Sequence, residues 1–156
     1  MGDFYLARAL HVLGVVLWIG GVAFVTGSGA MKNIALDFAE SIGLELPALA
    51  PHTVQWLKDH LPGYAVAENP LDYTTIGVRQ PGLIGEIVHT MAADPNVASV
   101  VLSIPVGPVG AQRDKAQHIV PARATCHKPT VLALTGDGGP VEAFFLDAIR
   151  DSGVPM

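Results

Sequence analysis

A single cysteine, Cys126, leaves no partner for an internal disulfide and no material for a thiolate metal cluster or redox pair within one chain, so a reducing, cytoplasmic setting suits it. Charge is scarce too. Charged residues make up 15% of the chain, with nine Lys and Arg against fourteen Asp and Glu and a formal net charge of −5. Phosphate backbones are held by clustered cations, and none cluster here, which excludes nucleic acid as a partner. There is no GxxxxGK[ST] loop, no third glycine to complete GxGxxG, and no HExxH. His11, His52, His60, His89, His118 and His127 are scattered without metal-ligand spacing, which argues against a zinc site. What the chain has instead is apolar content: 50% of its 156 residues, enough for one domain whose sheet is covered on both faces.

From Ala9 to Thr26, eighteen residues pass without Asp, Glu, Lys or Arg, the threshold length for a membrane-spanning helix. Gly27-Ser28-Gly29 follows at once, and Val22–Thr26 before it reads equally well as a short buried parallel strand. A signal peptide fits poorly, because Arg8 is the sole early basic residue and no small-residue cleavage site follows. The preferred division makes residues 1–20 an apolar helical extension and residues 21–156 the domain. Outside a membrane, that extension must hide against something.

Beyond the glycine loop, Met31, Ile34, Ala35, Phe38, Ala39 and Ile42 fall at helical spacing, with Lys32, Asn33, Asp37 and Glu40 on the other side. This predicts an amphipathic helix, with Gly43 as a left-handed cap and residues 44–47 as a short edge strand. A second helix is expected from Pro51 to His60, proline in its first turn, and Pro62-Gly63 ends it. Residues 64–80 lack helical period and read as a long loop, the kind that carries function. A helix over residues 81–93 follows, directing Ile84, Ile87, Val88 and Met91 at a sheet. Next come a central strand at 97–104, a Gly/Pro loop at 105–110, a helix near 113–125, a strand at 130–134 and a helix near 141–150. Alternating β and α predicts a parallel sheet whose strand C-termini form one ligand-bearing edge.

At that edge, Gly27, Ser28, Gly29 and Ala30 lead a strand into a helix, so unpaired N–H groups and the positive end of the helix dipole invite an anion. The same pattern fits a plain turn with Ser28 as the cap. The run GVAFVTGSGAMKNIALDFAESIGLELP, with NPLDYTT farther on, resembles the NDP-forming acyl-CoA synthetases (acetate–CoA ligase, ADP-forming) over residues 21 to the end. The resemblance is to their second flavodoxin-like, succinyl-CoA synthetase-like domain. It implies a three-layer α/β/α fold with a parallel sheet, preceded here by the apolar helix. It also implies that Gly27, Ser28, Gly29 and Ala30 contact a phosphate carried on a histidine of another domain. By the same resemblance, Asn69 and Asp72 of the NPxD segment and Gly107 and Gly110 of the Gly/Pro loop are acyl-substrate or loop contacts, though turn-capping and loop roles account for them equally.

No catalytic residue is assigned. The resemblance implies that this domain alone binds no cofactor, whereas the complete enzyme uses CoA and ATP or ADP with magnesium. Its expected partners are the CoA-binding, phosphohistidine and ATP-grasp modules. On this reading the chain is a piece of an enzyme, truncated near residue 156 and inactive alone. The rivals are a non-catalytic α/β interaction module and a membrane-tethered protein with a span at 9–26. A nucleophilic role for Cys126 lacks a visible base.

Overall fold

Four parallel strands carry the structure, a computed structural model that describes residues 21–124, 126–135 and 139–153, the side chains of 123 and 124 excepted. They are β1 (Val22–Thr26), β2 (Leu71–Asp72), β3 (Ser99–Pro105) and β4 (Thr130–Thr135), in the order β2-β1-β3-β4. In register, Val25 pairs with Leu71 and Leu102, and Leu102 with Leu132. Among the described residues six helices accompany them, five between strands and one after β4: α1 (Gly29–Ser41), α2 (Pro51–His60), α3 (Ile76–Arg79), α4 (Pro81–Ala93), α5 (Val109–Ala124) and α6 (Ala143–Asp151). This is the predicted flavodoxin-like α/β fold with a parallel sheet. The apolar helix expected over residues 1–20 lies outside the described residues, as do residues 125, 136–138 and 154–156.

Side-chain alternation along the strands separates the two faces. Ala23, Val25, Val100, Leu102, Ile104 and Leu132 join one buried cluster with Leu57 of α2, Ile87 and Met91 of α4, Ile119 of α5, and Phe145 and Ile149 of α6. The residues between them, Val22, Phe24 and Val101, point the other way and line a groove with Met31, Ile34 and Phe38 of α1. Four helices thus roof one face, and α1 covers part of the other. Of α1, Ala39 alone is buried. Its amphipathic pattern is real, but most of the stripe is left uncovered.

Two expectations need correction. Residues 44–47 form no strand. The edge strand is β2, inside the segment expected to be a loop, which also holds the single turn α3. The reason is Asn69. Its Oδ1 accepts from the Phe24 amide at 3.0 Å, and its Nδ2 donates to the Val22 carbonyl at 2.9 Å and the Pro47 carbonyl at 3.1 Å. One side-chain amide therefore fills the pairing edge of β1 before β2 begins, and ties residues 44–47 down as coil. At the end of α1 the expected cap is present: Gly43 has φ +68 and donates to the Glu40 carbonyl, and Leu44 donates to that of Ala39.

Candidate functional site

The loops that follow β1, β2 and β3 leave the sheet on one side, as parallel topology requires. Together they enclose a cleft of about 520 Å³, whose lining includes Gly27, Tyr73, Thr74, Gly107, Gly110 and Lys115. Val78, Ile84, Pro108 and Ile119 give it apolar walls. A hollow of about 820 Å³ lies at the opposite edge, among residues 43–48 and 95–98. It is larger, but the ends of β1 and β3 do not point into it.

The sequence-derived residues separate into three groups. Gly27, Gly107 and Gly110 meet in the cleft. Ser28, Gly29 and Ala30 stand beside it as the start of α1, where Ser28 is the N-cap and its hydroxyl accepts from Met31 N at 3.4 Å. Gly29 and Ala30 are exposed and carry first-turn amides with no intrahelical acceptor. Asn69 lies away from the edge, its amide spent on β1 and Pro47. Asp72 closes a turn, Oδ1 accepting from Thr74 N at 2.8 Å. Its Oδ2 faces Gly29 so closely that a Cβ added there would lie 3.3 Å away. A carboxylate therefore already stands beside the front of α1.

Tyr73 explains two glycines. A Cβ on Gly27 or on Gly77 would come within 2.8 Å of its ring, so the ring is wedged between the loops after β1 and β2. Burial, with Asp72 adding to it, pushes the Tyr73 hydroxyl up to about 12, so it remains a neutral donor.

Three residues escape sequence reading, Lys115 and Thr74 in the lining of the cleft and Gln112 behind its 105–110 loop. Lys115 sits above Gly107, 3.4 Å from where a Cβ would lie there, and donates to the Pro105 carbonyl and, at 2.9 Å, to that of Val106. Burial holds its ammonium below the usual lysine range, against an opposing pull from Asp114. An ammonium has three donors, so one remains for a ligand. Gln112 is buried and bridges the Gly107 carbonyl, the Pro140 carbonyl and the Glu142 amide, fixing the 105–110 loop to the start of α6. Thr74 has φ +63, a real outlier for a β-branched residue, and its Oγ1 is buried with no partner. Such strain costs about 1–3 kcal/mol and clusters at ligand sites. The usable sequence clue was the i, i+4 step from cleft-lining Ala111 to Lys115. Nothing in the sequence marks Thr74 as left-handed.

Over most of its length the chain is similar to part of an acyl-CoA synthetase and, in fold, to part of two solved structures. Among relatives, trans-feruloyl-CoA synthase FCS1 from an unknown prokaryotic organism is 31% identical over 136 residues, which cover 86% of this chain and 19% of that protein. PH0766 from Pyrococcus horikoshii OT3 superposes with a TM-score of 0.68 at 24% identity, over 87% of this chain and 31% of that one. The dinucleotide forming acetyl-coenzyme A synthetase 1 of Ca. Korarchaeum cryptofilum, in its apo form, gives 0.67 at 18%, over 86% and 29%. No family model matches the chain. It spans less than a third of the length of each of these proteins.

Proposed function

We propose that this chain is the domain of an NDP-forming acid–CoA ligase that holds the acid and its phosphoryl group at the C-terminal edge of its sheet. The observation that carries this is the convergence of three strand-end loops on one cleft, with Lys115 in its lining and the first turn of α1 beside it. The apolar walls suit the body of an acid, the remaining Lys115 donor its carboxylate, and the unpartnered Thr74 hydroxyl a second acceptor on the ligand. The Gly29 and Ala30 amides suit the phosphoryl group. Charge-assisted hydrogen bonds contribute about 1.5–3 kcal/mol each. Repulsion from Asp72 costs about 1 kcal/mol across 4 Å of water. The two amides together, at about 3–6 kcal/mol, exceed that repulsion, and free phosphate is expected to bind at millimolar concentration.

In this reading the role of the domain is electrostatic positioning: it holds charge in place and carries no covalent intermediate. CoA and ATP or ADP with magnesium supply acyl transfer and phosphoryl exchange on partner modules, one CoA-binding and phosphohistidine-bearing, the other ATP-grasp. Among the described residues no three His, Cys, Asp or Glu side chains converge as a metal site, and in this reading the magnesium travels with the nucleotide.

Nuclear magnetic resonance titration tests the proposal. Inorganic phosphate is expected to shift the Gly29 and Ala30 amides, more tightly in Asp72→Asn, and ferulate those of Gly107 and Gly110. Lys115→Met should weaken ferulate binding about tenfold, or 1.4 kcal/mol. Shifts confined to other residues would remove the site. Ligase turnover by the isolated chain, without added CoA-binding and ATP-grasp modules, would remove the fragment reading.

A further inference from the structure

We propose that the apolar groove along α1, on the face of the sheet away from the main core, is the seat of the chain's own residues 4–19. Ile34, Phe38 and Ile42 are 57%, 61% and 46% exposed, although their spacing marks them as the inward stripe of an amphipathic helix. They border a groove of about 310 Å³, completed by Val22, Phe24 and Val101. Its lining holds no charged side chain, and Lys32, the basic residue in the first turn of α1, is paired with Glu68. An occupant must therefore be apolar, and the sequence directly before Gly21 supplies such a segment. Residues 9–20 have no Asp, Glu, Lys or Arg.

In the chain that segment precedes the groove's own strand with no intervening linker. It ends at Gly21, whose carbonyl accepts from Ala98 N at 2.7 Å, so the strand entrance is pinned, and the next residue, Val22, lines the groove. From Gly21 an open hollow leads past Leu44 and Leu46, which also line the groove. Lengths agree as well: sixteen residues as a helix would span roughly 24 Å, against roughly 20 Å for the thirteen residues of α1. Tethering at zero distance supplies a high effective concentration. Occupation of the groove does not depend on the activity proposed for the opposite edge.

The test uses the full chain with a cysteine at Phe38→Cys, and separately at Glu40→Cys on the polar side of α1, labelled by maleimide and located by mass spectrometry. Buried Cys126 serves as the internal measure of folding. In monomeric protein, Phe38→Cys is expected to label at least tenfold more slowly than Glu40→Cys. Adding Val12→Asp and Val16→Asp should abolish the difference while Cys126 stays protected. Equal rates without those additions would overturn the proposal. So would protection that disappears on dilution, the mark of a second copy in the groove, or residues 4–19 remaining in carbonate-washed membranes with the cysteine at 38 fully reactive. If the aspartate pair also exposes Cys126, a disulfide between Val16→Cys and Phe38→Cys decides: closure within one chain supports the seat, and its failure to close refutes it.

Discussion

Gly27 shows how one small residue serves two demands. It lines the cleft, and it also leaves room for the Tyr73 ring, which a methyl group would meet at 2.8 Å. Such overpacking costs about 1–3 kcal/mol. Gly27→Ala is therefore expected to lower the free energy of urea unfolding by that amount, and Tyr73→Leu to restore part of it, because the shorter side chain frees the space. The glycine itself was readable as part of a strand-to-helix turn, but its packing partner was not: Tyr73 is 46 residues away in a stretch that reads as loop, and ring placement depends on the three-dimensional meeting of β1 and β2. Lys115 and Thr74 were hidden for a related reason. A lone lysine in a helix and a threonine in a loop acquire meaning from what surrounds them, here the Pro105 and Val106 carbonyls and a left-handed backbone.

Among elements, the long periodic helices and the apolar strands were legible because hydrophobic spacing alone specifies them: β1 at Val22–Thr26 and α2 at Pro51–His60 fall where their residues place them. The short edge was not. Leu44-Glu45-Leu46 alternates as a strand does, yet that register is closed by a side-chain amide rather than by a backbone. Asn69 makes three hydrogen bonds to main-chain groups, and removing it strands part-buried polar groups of β1. An orphaned buried group costs about 1–3 kcal/mol. Asn69→Ala should accordingly destabilise the chain by about 3 kcal/mol, with hydrogen exchange at Phe24 accelerating more than at Leu102. Equal acceleration at both positions would point to general loosening instead.

At the scale of the whole molecule, one carboxylate joins parts distant in sequence. Asp94 accepts from the Ala50 amide and the Asn96 amide, each at 2.8 Å, and its carbonyl takes the Lys128 ammonium. Burial opposes its charge, but the nearby Thr53 hydroxyl, the two amides and His52 together hold it below the usual aspartate range. A depressed folded value contributes stability that is complete above the unfolded value near 3.9 and is lost as pH falls through the folded one. The denaturation midpoint of the natural chain should then drop more steeply below about pH 5 than that of Asp94→Asn. Parallel slopes would deny the residue this role.

The uneven roofing of the sheet has a mechanical corollary. α1 is a rod with its tip at the ligand edge and its flank on the thinly covered back, and a rod cannot be gripped along its flank without steadying its tip. Whatever clamps Ile34 and Phe38 thus sets how firmly the Gly29 and Ala30 amides are aimed.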